Sequence, residues 1–158
     1  MLNRRALACD ATAVPPDSSP PPRVLLAEAS LPFRRVIREA LTAFMRCEVD
    51  DASTGEHAFE LGLQRRYALY LFAFSLPDMR GDLLDRLLAQ AGPKVHQGTH
   101  ASPPVIYLLR AEEMTHWQEL CRSARVRGSV SMPPRLDMLI KATTGILPPK
   151  ADWKPEGP

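Results

Sequence analysis

Residues 67–81 run Tyr67-Ala68-Leu69-Tyr70-Leu71-Phe72-Ala73-Phe74-Ser75-Leu76-Pro77-Asp78-Met79-Arg80-Gly81. The run up to Ala73 is apolar without interruption, as a central parallel strand covered on both faces requires. Its core, Leu69–Phe72, is the predicted third strand. Ser75 to Gly81 then brings Pro, Asp and Gly, the residues of a loop. The strand stops on Ala73, and a methyl group at that end is the most informative feature of the chain.

Working outward, strand and helix patterns alternate. Val24-Leu25-Leu26-Ala27 is the predicted first strand. Ser30 is expected to cap the next helix, with Pro32 in its first turn. Phe33, Val36, Ile37, Ala40, Leu41 and Phe44 recur at helical spacing. Cys47–Asp50 is a short second strand, and a helix around Glu56–Leu63 turns Ala58 and Leu61 inward. Gly81–Ala91 is a third helix with Leu83, Leu84, Leu87 and Leu88 along one stripe, followed by a polar loop over Gly92–Ser102. Val105–Leu109 is the fourth strand. Glu112–Arg122 is a helix with acidic residues in its first turn, as the helix dipole prefers. Gly128–Ser131 is the fifth strand, and Leu136, Leu139, Ile140 and Thr143 mark the last helix. Five strands each followed by a helix imply a parallel sheet with helices on both faces. A flavodoxin-like sheet and half a Rossmann domain both fit. No GxGxxG follows the first strand, which disfavours a dinucleotide site.

The 158 residues suit one domain with tails: a Pro-rich arm over 1–22, a domain over 23–146 and a Pro-rich tail over 147–158, both ends expected to be disordered. A formal charge of +2 argues neither for nucleic acid nor for an anionic membrane. No apolar run approaches the ~20 residues that span a bilayer. Three scattered cysteines, Cys9, Cys47 and Cys121, lack metal or redox spacing and fit a reducing cytoplasm.

In open sheets of this kind ligands sit beyond the carboxyl ends of the strands. Those ends carry Glu28, Ala73, Leu109 and Met132. Together with Arg23–Ser30, Ser75–Gly81, Pro103–Leu109 and Gly128–Pro133, the pattern resembles a bacterial response-regulator receiver domain. The resemblance covers residues 23 to about 146 and implies a doubly wound α/β fold of five parallel strands in the order 2-1-3-4-5. It also implies a phosphoacceptor pocket. Glu28 fills the first of two acidic positions, and Ala29 replaces the second. Ala73 replaces the phosphoacceptor aspartate, Leu109 a Thr or Ser, and Met132 the Lys before Pro133. Ser129 stands where an aromatic switch residue is usual.

Those substitutions remove the chemistry the resemblance implies. Aspartyl phosphorylation needs a carboxylate nucleophile, a magnesium ion held by oxygen ligands, and fixed donors for the transferred group. Ala73, Leu109 and Met132 supply none of these and are expected to pack as an apolar plug. Glu28 would then pair with Arg110 or face water. The expected protein is a degenerate receiver that is no enzyme, holds no metal or cofactor and works by binding. Its partner would be a histidine kinase or another signalling protein, with a homodimer also compatible. The contact face would carry Trp117, Arg122, Arg125, Arg127, Ser129, Arg135 and Lys141. A competing expectation is a sensor that binds a small anion or nucleotide at a rim of Arg34, Arg35 and Arg110.

Other candidates carry plainer expectations. Asp50 and Asp51 suit a turn or a helix cap. Asp78 follows Pro77 in a loop, away from the pocket floor. His96 and His100 lack further metal ligands. His57 and His116 are expected on helix surfaces.

Overall fold

The computed structural model describes residues 18–98 and 101–154. Five strands, β1 (Arg23–Ala27), β2 (Glu48–Ala52), β3 (Leu69–Ala73), β4 (Val105–Leu109) and β5 (Val126–Ser131), form one sheet. All pairings are parallel and the order is β2-β1-β3-β4-β5, as expected. The register sets Ala27 against Ala52 and Phe72, and Ala73 against Leu108.

The helices are α1 (Leu31–Phe44), α2 (Gly55–Gln64), α3 (Gly81–Val95), α4 (Trp117–Leu120) and α5 (Leu136–Thr143), with a 3-10 segment over Ala111–His116 before α4. α1 packs with α5, and α2 packs with α3. β3 and β4 lie between these layers and are buried at every residue. Each Leu, Ile or Phe side chain buried there contributes about 1.5–3 kcal/mol.

Three helices depart from expectation. α3 does not stop at Ala91 but runs through Gly92 and Pro93, and its last turn closes with the His96 N–H donating to the Gly92 carbonyl at 2.8 Å. His96 Nε2 also donates to the Gly62 carbonyl at 2.8 Å, so a tertiary contact holds a turn whose propensity is poor. The helix expected over Glu112–Arg122 is mostly a tight 3-10 turn. The Glu113 carboxylate bends back to accept from the Arg110 N–H at 2.8 Å, and Glu113 N–H donates to the Arg110 carbonyl at 2.9 Å. At α1, the Ser30 hydroxyl makes no capping bond; its N–H donates to Glu28 Oε1 at 2.9 Å instead.

Some apolar positions also lie outside the core. Val36, Leu83 and Leu136 are exposed, because each sits at the margin of its helix's buried stripe.

The domain extends past the expected boundary at 146. Leu147 is buried, the Arg46 N–H donates to the Pro148 carbonyl at 2.8 Å, and the Lys150 N–H donates to the Phe44 carbonyl at 3.1 Å. Trp153 meets Phe44 edge to face, with ring centroids 5.7 Å apart. Residues 147–154 thus form a strap across the end of α1. On the N-terminal side, the Pro22 carbonyl accepts from the Glu48 N–H at 3.0 Å. Beneath the strap, burial pushes the Cys47 thiol up to about 11, although Lys150 opposes the shift. Cys47 and Cys121 are both free. Among the described residues no helix is long and apolar enough to cross a membrane.

Candidate functional site

β1, β2 and β3 each end on alanine: Ala27, Ala52 and Ala73. Ala73 is 5% exposed, and Leu109, at the end of β4, is fully buried. The Met132 N–H donates to the Leu109 carbonyl at 2.8 Å, and its side chain packs partly buried against the core. Ala73 and Met132 stand two strands apart, about 10 Å by sheet spacing, with β4 between them. The three residues thus line one edge of the sheet, where they leave no carboxylate or ammonium. Ala29 and Pro133 are exposed beside this edge, and the Met132–Pro133 peptide is cis.

Glu28 is the charge left at this edge. It is 1% exposed and does not face water. Oε1 accepts from the Ser30 N–H at 2.9 Å and stands 4.0 Å from Arg110 Nη2, at the outer limit of an ion pair. Among the described residues, no three His, Cys, Asp or Glu side chains converge as a metal site.

A stack of side chains just past the end of β3 was not visible in the sequence. Phe74 follows Ala73, is buried, and stacks on the His116 ring with centroids 4.7 Å apart. The Arg80 guanidinium lies 4.6 Å from the centre of the Phe74 ring. Arg80 is itself held by two 3.0 Å bonds to the Asp82 carboxylate. His116 is therefore half-buried against an aromatic ring, and not on a free helix surface as expected. The sequence signal was an aromatic residue directly after the third strand, but one of its partners, His116, is distant along the chain.

Asp78 clamps the loop below. Its carboxylate accepts from the Gly55 and Glu56 N–H groups, both at 2.8 Å, and so caps α2 from another segment. Slight burial raises its carboxyl, but backbone N–H donors outweigh that and hold it below the usual carboxylate range. A folded-state pKa below the unfolded value adds stability above the unfolded pKa and loses it as the pH falls. Asp78→Ala is expected to cost about 1 kcal/mol at pH 7, the size of a lost helix cap. The loss should shrink toward pH 3, which urea melts at the two pH values measure.

Asp50 and Asp51 lie within β2, not in a turn. Successive strand residues face opposite sides, so each aspartate serves a different helix layer. Asp50 accepts from Arg65 at 3.0 Å and from the Tyr67 hydroxyl at 2.8 Å; Asp51 accepts from Arg34 at 3.0 Å and Arg38 at 2.9 Å. Charges of this kind also blunt an edge strand against mispairing. Arg34 additionally donates to the carbonyls of Glu28 and Ala29 at 2.7 and 2.9 Å. Arg34, expected at an anion-binding rim with Arg35 and Arg110, is therefore tied into the fold by these bonds. His57 is exposed, and His100 lies outside the described residues.

Of the expected contact face, Arg122, Arg127, Arg135 and Lys141 are exposed, and Ser129 is half-buried. Arg127, Ser129 and Lys141 line one groove of about 540 Å³ between β5 and α5, joined by Met138. Arg135 pairs with Asp137 at 3.0 Å. Trp117 is partly buried against the core. Arg125 turns inward, with two 2.7 Å bonds from its guanidinium to the Asp85 carboxylate. That fork holds it against α3, so it does not offer a free charge to a partner.

Several solved structures with this arrangement are receiver domains or response regulators. The chain superposes on the receiver domain of AraT, a response regulator from Geobacillus stearothermophilus. The TM-score is 0.67 at 24% identity, over 79% of this chain and 92% of that one. The chain has the receiver-domain fold. It is similar also to the chemotaxis response regulator CheY4 of Vibrio cholerae, with TM-score 0.63 at 20% identity, over 80% of this chain and 98% of the other. A third match is the signal receiver domain of an HD-domain-containing protein from Pseudomonas fluorescens Pf-5, with TM-score 0.66 at 18% identity, over 81% and 88%. No protein-family model and no curated protein matches the chain. At these identities the likeness establishes the fold, and the chemistry rests on this receiver fold's own residues.

Proposed function

We propose that the protein is a pseudo-receiver: a receiver fold that works in signal transduction by protein binding, without phosphorylation and without enzymatic activity. One observation carries this reading. The strand ends that would form a phosphoacceptor pocket bear Ala73, Leu109 and Met132. A methyl group is no nucleophile, and an isobutyl and a thioether donate nothing to a developing phosphoryl charge. Glu28, buried beside Arg110, offers a single carboxylate where magnesium wants several oxygens.

Ordinary receivers change conformation when phosphorylation shifts a two-state equilibrium. With no phosphoryl group to take up, this chain has no such trigger at Ala73, and the Arg80–Phe74–His116 stack sits directly after that strand end. Regulation then falls to partner binding or to the amount of protein. The groove holding Arg127, Ser129 and Lys141, with exposed Met138 and Leu136 near it, is the contact surface assigned to that partner, a histidine kinase or another cytoplasmic signalling protein.

The test is incubation of the purified protein with acetyl phosphate and magnesium, followed by intact-mass measurement. The expected result is no added phosphoryl mass. A stable acyl-phosphate adduct would sink the proposal. The binding half is tested by capturing partners with the wild type and with Arg127→Glu/Lys141→Glu. Loss of the captured protein with the charge reversals is expected, and equal capture rejects this surface.

A further inference from the structure

β5 is the last strand of the sheet, so its outer side pairs with no strand. Arg127, Gly128 and Ser129 follow one another in β5, and all three line the groove beside α5. Side chains of successive strand residues point to opposite faces. Three in a row meet one space only where that space runs along the edge of the strand. The main-chain N–H and C=O groups of such an edge are a template for an added strand. The facing wall carries Met138, which is 44% exposed, together with Ala142 and Ile146, which pack against the core.

The charges of this face are one-sided. Residues 121–147 hold five Arg or Lys but a single acid, Asp137. Arg125 is taken by Asp85 and Arg135 by Asp137. Arg127 and Lys141 in the groove, and Arg122 near it in sequence, are exposed and form no ion pair among the described residues. No carboxylate lines the groove. A two-fold dimer through this face would set the same free cations of both copies against each other, with no free carboxylate of the stretch to answer them. Nucleic acid is held by many phosphate contacts, and two groove cations on a chain of formal charge +2 supply few. A small inorganic anion would answer the cations but leave the apolar wall uncovered.

We propose that this groove takes an acidic, extended segment of a partner protein, added as a strand along the free edge of β5. Its carboxylates would meet Arg127 and Lys141, and an apolar side chain would cover Met138. The inference rests on the contact surface proposed above and names the chemistry of the partner that fits it.

The experiment is fluorescence anisotropy of the full chain with a labelled peptide of repeating Glu-Glu-Val-Val, about eight residues long. That order presents both residue types on either face of a strand. The controls are the Lys-Lys-Val-Val peptide and a single-stranded oligonucleotide. Saturable binding of the acidic peptide is expected, weakened at about 0.5 M salt, with none for either control. Arg127→Glu/Lys141→Glu should weaken it at least about tenfold, with circular dichroism confirming the fold. Methylating alternate amide nitrogens of the peptide should weaken it as well, because that removes the main-chain donors of one edge. Sedimentation of the chain alone should show a monomer. No saturable binding, equal binding of either control, unchanged binding by the charge reversals or by the methylated peptide, or a dimer that the charge reversals abolish would each overturn the proposal. Should the double variant fail to fold, the controls and the salt dependence decide the matter on the wild type. Partner capture that needs Arg127 and Lys141, alongside no binding of the acidic peptide, would strike the acidic strand and leave the contact surface standing.

Discussion

Ala73→Asp is expected to lower stability by about 3 kcal/mol at pH 7 and still give no acyl phosphate. The new carboxylate would sit at a position 5% exposed, opposite buried Leu108 on β4 and next in the chain to buried Phe74. Met132 has no charge to offer it, and buried Glu28 belongs to the same strand-end edge. Desolvation comes first and a like charge second, and both raise a carboxyl pKa. An acid whose folded pKa is raised keeps its full stability below the unfolded pKa, about 4 for aspartate, and loses it as the pH rises. Urea melts of the variant and the wild type at pH 4.5 and pH 7.5 should therefore diverge at the higher pH. An equal gap at both values would mean that the introduced group is solvated, and that the mouth is open rather than sealed. This outcome bears on the functional proposal, because a solvated mouth can admit a phosphodonor.

Gly81→Ala is expected to cost about 3 kcal/mol, at the upper end of what overpacking does. A Cβ at Gly81 would lie 2.3 Å from the Ala73 carbonyl oxygen and 3.1 Å from its carbon. Both atoms belong to the backbone of the central strand, so no rotamer change relieves the clash. The Gly81 N–H also donates to the Phe74 carbonyl at 2.8 Å, which ties the start of α3 to the residue directly after β3. Gly55 is the internal comparison. A Cβ there would meet Met79 Cγ at 2.4 Å, but Met79 is an unbranched side chain that can swing away. Gly55→Ala should cost about 1 kcal/mol. Denaturant midpoints at equal slope measure both variants, and a smaller loss for Gly81→Ala than for Gly55→Ala would contradict the close approach of α3 to β3.

Much of the scaffold was legible in advance because burial on two faces leaves a one-dimensional trace. Leu69–Phe72 and Val105–Leu109 are apolar at every position, and they became the two fully buried strands. The alanine at the end of β3 was legible for a similar reason: the end of a strand is local, and Ala73 occupies it. The helix margins were less legible. Val36, Leu83 and Leu136 fit a helical period, yet which side of that period meets the sheet depends on how each helix lies across it. Pro93 and Gly92 looked like a helix stop, but a histidine bonded across to Gly62 carried α3 one turn further.

The site shows the same division. Periodicity cannot reveal that Phe74 is covered by His116 on one strand's crossover and Arg80 on another's. Nor can it reveal that Arg125 reaches 40 positions back to Asp85, or that residues 147–154 strap the end of α1. The order of apolar and polar residues was enough to settle the number of strands, their parallel arrangement and the absence of a carboxylate on β3. Hydrophobic patterning acts over a few neighbouring residues, so it can be seen along the chain. Which guanidinium reaches which carboxylate, and which is left without one, was decided only when separate segments came within about 3 Å, the range of a hydrogen bond.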